Sequence, residues 1–232
     1  MTGRFDEDGF CLARAAISPC QLAELIDVLQ DDRFEKSPGR RDLFQLREVI
    51  CNFACSQVVS DLVGPVLGSQ ARCVRGLVFQ KNANLNWQVA WHQDRTIAVK
   101  KKSEVGGYQA WSVKQGIPHV NPPSELLERM LTLRIHLDSA NQENGVLEVL
   151  PGSHMGGILT EIEIAELAQN TKSVPCIAQP GDVLLMRPLL LHASRKVNST
   201  NPRRVLHLEY AAESLPTPLQ WHTELPLQHG RN

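Results

Sequence analysis

The chain has no uninterrupted apolar stretch approaching the roughly 20 residues that a membrane-spanning helix needs, so no membrane partner is expected. It lacks an excess of either charge: 24 Lys and Arg against 25 Asp and Glu leave a formal net charge of -1. No long-range field therefore draws in nucleic acid or an anionic bilayer, and Lys100-Lys101-Lys102 reads as solvated loop charge. Six cysteines are scattered without a CxxC pair or a regular framework, which favours reduced thiols in a cytoplasmic setting. Cys51 and Cys55 are spaced as neighbours on one helical face, but nothing nearby completes a zinc set. The opening MTGRFDEDGF carries acidic residues where a secretory signal carries an apolar core. No internal repeat or low-complexity tract interrupts the chain.

What is there reads as one domain spanning residues 1–232, of ordinary globular composition with 42% apolar residues. Residues 1–70 read as a mostly helical cover. Ser18-Pro19 is a helix start, followed by Leu22, Leu25, Ile26 and Leu29 at helical spacing. After the polar stretch EKSPGRRD, a second helical region runs through REVICNFACSQVVSDLVGPVL and ends at a Gly-Pro pair.

From residue 72 to 212 the pattern changes to short apolar runs broken by Gly, Pro and Asn: CVRGLVFQK, QVAWHQD, LTLRIHLD, GVLEVLP, GDVLLMRPLLLH and RRVLHLEYAA. These read as strands with tight turns. In LTLRIHLD, Thr132, Arg134, His136 and Asp138 share one face and Leu131, Leu133, Ile135 and Leu137 the other. RRVLHLEY alternates likewise, with Arg203, His207 and Glu209 opposite Leu206, Leu208 and Tyr210. Strands with one polar face toward a cavity and one apolar face under helices fit a mainly β fold with flanking helices, a double-stranded β-helix of the jelly-roll, cupin-like kind.

The chemistry centres on Trp91-His92-Gln93-Asp94. Residues two apart in an extended segment point the same way, so His92 and Asp94 can offer an imidazole nitrogen and a carboxylate oxygen to one ion. His192, ending the run GDVLLMRPLLLH, is the candidate third ligand. Two His and one carboxylate leave one side of an ion open, the arrangement of non-haem iron(II) oxygenases. An HxD pair alone is commonplace; Arg203, eleven residues after His192 across VNSTNP, sharpens the pattern. A hairpin there would return a guanidinium able to grip a dicarboxylate in bidentate fashion.

These segments together resemble the phytanoyl-CoA dioxygenase family of iron(II)/2-oxoglutarate oxygenases. FDEDGFCLARAAISPCQLAELIDVLQ is similar to its N-terminal segment, WHQD to its HxD motif, ENGVLEVLPGSH to its turn and strand, and GDVLLMRPLLLHASRKVNSTNPRRVLHLEY to the segment with the distal His and the arginine. The resemblance implies iron(II) on His92, Asp94 and His192, 2-oxoglutarate as cosubstrate with O2, and Arg203 with Ser194 on its far carboxylate. It also implies Gln93 and Trp111 as lining of the cosubstrate pocket, His154 as part of a structural turn, and Arg203 rather than Arg204 as the gripping arginine. Related halogenating enzymes carry a small residue where Asp94 stands, so hydroxylation is expected over halogenation, with desaturation or ring closure left open.

For the substrate, Arg134 and His136 are the candidate contacts. Arg134 has Asp138 or Glu148 as possible internal partners; without one, it is free for a carboxylate, and a small carboxylate-bearing metabolite is expected over a long acyl-CoA. Two other readings remain at this level: a non-catalytic jelly roll that binds a small ligand, and a hydrolase or isomerase using the same triad with another metal. Oligomeric state has no signature in the sequence.

Overall fold

The computed structural model describes residues 4–30, 39–41, 43–81, 86–196 and 202–228. Its N-terminal part is helical apart from two strands. Helix α1 (Phe5–Asp8) leads into strand β1 (Phe10–Ala13), and helix α2 (Pro19–Leu29) begins as expected. Ser18 Oγ accepts from Gln21 N while the Gln21 side chain accepts from Ser18 N, and Pro19 occupies a first-turn position where its missing N–H costs nothing. After strand β2 (Gly39–Arg40), the second helical region is broken into α3 (Leu43–Leu46), α4 (Glu48–Ala54) and α5 (Gln57–Leu67), and it does not end at the Gly-Pro pair: α5 carries Pro65 within it and stops at Gly68. EKSPGRRD lies largely outside the described residues.

Strand β3 (Arg72–Lys81) and the remaining strands build three sheets. The larger runs β1-β11-β8-β13-β3-β14, with β2 also on β3, and includes β8 (Leu131–His136), β11 (Val183–Met186), β13 (Arg203–Ala211) and β14 (Leu225–Pro226). The smaller runs β10-β9-β12-β4, made of β4 (Val89–His92), β9 (Leu147–Val149), β10 (Val174–Pro175) and β12 (His192–Ser194). A third sheet, in the order β5-β7-β6, holds β5 (Ile97–Ala98), β6 (Gln109–Lys114) and β7 (Ile117–Asn121). Helix α6 (Ser124–Glu128) follows β7, and α7 (Glu161–Asn170) follows a single-turn 3-10 helix at Ser153–Gly156. Strand β1, the third sheet and α7 had no strand or helix signal in the reading above.

The period-two alternation places the core. Leu131, Leu133, Ile135, Leu206, Leu208 and Tyr210 pack against Leu25, Leu29, Ile50, Phe53 and Val63 of the helices. Each such aliphatic side chain, fully buried, contributes on the order of 1.5–3 kcal/mol. The Tyr210 hydroxyl donates to Ala54 O at 3.0 Å, satisfying its polar end inside this layer. Between the two sheets, Leu147, Val149, Leu184, Met186 and Leu190 fill one end and leave the other polar. Gly181, at φ +86°, sets the turn into β11; a Cβ there would lie 2.9 Å from Ile17 O, so only glycine fits.

Two connections differ from expectation. GDVLLMRPLLLH is not one strand: β11 ends at Met186, Leu190 N donates to Arg187 O in a turn, and β12 begins at His192 in the opposite sheet. Nor do β12 and β13 form a hairpin, because β12 pairs with β4 and β9 while β13 pairs with β3 and β8. Most of VNSTNP lies outside the described residues. No single helix among the described residues is long and apolar enough to cross a membrane.

Candidate metal and cosubstrate site

His92 and His192 are register partners in the antiparallel pairing of β4 and β12, with ring centroids 4.1 Å apart. Asp94 lies just past β4, fixed by its own N–H donating to Pro188 O at 2.9 Å. One donor atom from each of the three lies within 4.8 Å of the others, and His192 Nε2 is 3.7 Å from Asp94 Oδ2. His92 Nδ1 is 2.9 Å from Ala90 O and His192 Nδ1 is 2.9 Å from Leu190 O. A carbonyl oxygen only accepts, so each Nδ1 carries the proton and each Nε2 offers a bare lone pair.

Protonation agrees with this. Burial lowers the His192 pKa to about 3 despite the opposing pull of Asp94, leaving a neutral imidazole. Burial alone would raise the Asp94 pKa, but His192, His207, His92 and Arg75 outweigh it, and the carboxyl is held below its ordinary range. A neutral His192 imidazole and an ionised Asp94 carboxylate suit a divalent first-row metal. The PGSH turn buttresses the site: Ser153 Oγ donates to Leu150 O at 2.7 Å and accepts from Leu191 N at 2.8 Å, beside His192.

The three residues sit at one side of a cavity with about 480 Å³ of empty space, part of it open to solvent. Its wall includes Lys81, Arg134, Ser194, Arg203 and His207, over apolar Phe79 and Trp87. Lys81 and Arg203 are direct partners across β3 and β13. Lys81, 1% exposed, donates to Ser194 Oγ and to Arg195 O, both at 2.8 Å. Burial first, then Arg203 and Arg134, lowers its pKa to about 7. Arg203 is similarly lowered by burial and by Arg134, and its Nε is buried without an acceptor among the described residues. None of the three cations has a carboxylate partner among those residues: Asp138 is held bidentately by Arg204, and Glu148 by Arg195 and Ser173. Three unpaired buried cations fit a dianionic carboxylate ligand.

Arg134 Nη1 donates to His207 Nδ1 at 3.1 Å, so His207 carries its proton on Nε2 and donates to Glu209 Oε1, also at 3.1 Å. Glu209 in turn faces Arg75 Nη1 at 3.4 Å. This buried polar row crosses β8, β13 and β3 beside Asp94. Arg134 thus shares the cavity with Lys81 and Arg203 rather than standing apart from them.

Three expected contacts lie elsewhere. Gln93 turns away from the cavity: its amide donates to Gly157 O and Leu189 O at 2.8 Å each and accepts from Leu159 N at 2.9 Å. It braces a loop, because successive side chains of an extended segment alternate and both neighbours face the site. Trp111, on β6, packs with Ile97, Val99 and Val120 in a separate core and does not line the cavity. His136 is buried, with neither ring nitrogen hydrogen-bonded among the described residues, and is not in the cavity wall either. Lys81 and His207 were not singled out for the site from sequence. The alternation Leu77, Phe79, Lys81 carried a signal for Lys81, but its meaning depends on the pairing with β13.

Residues 5–205 match the family described as phytanoyl-CoA dioxygenase (PhyH). A multifunctional dioxygenase of Penicillium brasilianum is 32% identical over 93 residues, 39% of this chain and 31% of that protein. The match thus spans about a third of that relative. Ectoine dioxygenase of Sphingopyxis alaskensis is 23% identical over 248 residues, 90% of this chain and 74% of that protein. The solved structure of EctD from S. alaskensis with 2-oxoglutarate and 5-hydroxyectoine superposes with a TM-score of 0.71 at 21% identity, covering 97% of this chain and 85% of that one. At that identity the likeness establishes a shared jelly-roll fold.

Proposed function

The chain belongs to the phytanoyl-CoA dioxygenase family, and from that premise we propose that it is an iron(II)- and 2-oxoglutarate-dependent dioxygenase hydroxylating a small carboxylate-bearing metabolite. The observation that carries this reading is the joining of two arrangements in one cavity. His92, Asp94 and His192 bring two imidazole nitrogens and a carboxylate oxygen within 4.8 Å of one another, and Lys81, Arg134 and Arg203 line the same space without a carboxylate partner among the described residues. A hydrolase has no task for the second arrangement.

In this reading His92, Asp94 and His192 hold the metal. Iron(II) with 2-oxoglutarate and O2 supplies the oxidising power to convert a C–H bond to an alcohol, with release of CO2 and succinate. The protein contributes position and charge. Arg203 receives the far carboxylate of 2-oxoglutarate, Ser194 adds a hydroxyl, and Lys81 links the two through its bond to Ser194 Oγ at 2.8 Å. Arg134 completes the cationic wall and is fixed by His207, which Glu209 orients. Burial of these cations strengthens their pull on a dicarboxylate, since little water screens them.

Oxygen consumption and succinate formation, measured together on the iron-loaded protein with 2-oxoglutarate, test the reading. Matched, iron-dependent consumption and succinate support it. Hydrolytic or isomerising turnover without O2 uptake, or ligand binding with neither, would replace it.

A further inference from the structure

One basic cluster lies outside the cosubstrate wall. Arg75 Nη1 donates to Thr96 O at 2.8 Å and Lys114 Nζ lies 3.4 Å from Thr96 Oγ1, so cations from β3 and β6 converge two residues past Asp94. Arg75 and Lys81 share one face of β3 six residues apart, about 20 Å at roughly 3.3 Å per residue, so this is a different place from the cosubstrate wall. With Arg41 and His119, Arg75 lines a narrow cleft that opens to solvent.

Charge balance around Arg75 is uneven. Among the described residues the carboxylate that ion-pairs with Arg75 is Glu209, 3.4 Å from Arg75 Nη1 and already shared with His207, and Asp94, a metal ligand in the proposed site, also acts on Lys114. The Nε groups of Arg41 and Arg75 are buried with no acceptor among the described residues. Burial, and then the charge of Arg75, lowers the pKa of both Arg41 and Lys114. His119 adds no charge: burial lowers its pKa to about 4, so it is neutral near pH 7. Cations kept together around a shared carboxylate call for an anion from outside the chain. Thr96, held by both Arg75 and Lys114, places such an anion close to Asp94.

We propose that Arg75, Lys114 and Arg41 receive an oxyanion of the substrate, a carboxylate or a phosphonate, and so fix which carbon faces the metal. The inference rests on the oxygenase reading and names where that enzyme holds its substrate. It leaves Arg134 to the cosubstrate.

Calorimetric titration of the full chain, loaded with iron(II) and 2-oxoglutarate under argon, tests this with acetate, methylphosphonate and neutral acetamide. Acetate, methylphosphonate or both bind saturably and acetamide does not; which anion binds identifies the group. Lys114→Met and Arg41→Met each weaken that binding at least ten-fold, Lys114→Arg restores most of it, and exposed Lys101→Met leaves it unchanged. Variants that bind as well as the parent protein, or a parent protein that binds neither anion, would overturn the proposal. Succinate formation is followed separately: its absence counts against the oxygenase reading, while the titration still reports on the cluster.

Discussion

Each of His92 and His192 donates its Nδ1–H to the carbonyl two residues earlier in the chain, and their strands pair so that the rings lie 4.1 Å apart. The backbone of one sheet therefore fixes both the position and the tautomer of two donors. Asp94 adds the third from a loop pinned to Pro188 O.

Replacement of either histidine by alanine removes a donor without touching the helix-covered core. His92→Ala and His192→Ala each reduce bound iron from a single ion per chain to a trace by metal analysis, with far-UV circular dichroism unchanged. Stoichiometric iron in either variant contradicts the assignment.

The two adjacent arginines separate binding from stability. Arg203→Met weakens 2-oxoglutarate binding by about 1.5–3 kcal/mol, the loss of a charge-assisted contact. Arg204→Met leaves that affinity unchanged and lowers the denaturant midpoint by the equivalent of about 1 kcal/mol, because Arg204 holds Asp138 at 2.8 and 2.9 Å. The reverse pattern in equilibrium binding would put the wrong arginine in the cavity.

Lys81 gives the site a pH dependence. With its pKa lowered to about 7, it is an ammonium below that pH and an amine above it in the cosubstrate-free protein. A dianion favours the ammonium, so above about pH 7 each 2-oxoglutarate bound draws in a proton and affinity falls as pH rises. Calorimetry at about pH 8 in buffers of different protonation enthalpy measures that uptake, and Lys81→Met abolishes it. The unfolded chain binds more protons here between about pH 7 and 10.5, so this group's contribution to stability rises with pH across that window. Proton release on binding is the contrary result.

The sequence carried the parts of this site that depend on local periodicity. Alternation in LTLRIHLD and RRVLHLEY placed Arg134, Arg203 and His207 on the face opposite the helix-covered leucines, and HxD spacing paired His92 with Asp94. What it could not carry depends on long-range register. Lys81 joins the site because β3 pairs with β13, and Arg134 has no carboxylate partner among the described residues because Asp138 turns to Arg204 and Glu148 to Arg195. GDVLLMRPLLLH has strand composition throughout, and its break reflects the chain crossing from one sheet to the other. Gln93 and Trp111 were expected from resemblance, and in this chain local packing uses them differently.

Gln93 supplies a direct check on that difference. Gln93→Ala removes three hydrogen bonds that tie β4 to residues 157–159 and 189, and costs about 2–4 kcal/mol of unfolding free energy. In the folded variant, 2-oxoglutarate affinity stays within a factor of about three of the parent, below the tenfold that roughly 1.4 kcal/mol represents. A large loss of affinity at unchanged stability would return Gln93 to the cosubstrate wall.

The proposed site is a single cavity with the metal on His92, Asp94 and His192 and 2-oxoglutarate against Arg203. Anaerobic titration of the iron(II)-loaded protein with 2-oxoglutarate, followed by the visible metal-to-ligand charge-transfer band, tests both halves at once. The expected band saturates at one equivalent, is absent in His192→Ala, and needs at least ten-fold more 2-oxoglutarate in Arg203→Met. No band in the parent protein, or an identical titration in both variants, would contradict it.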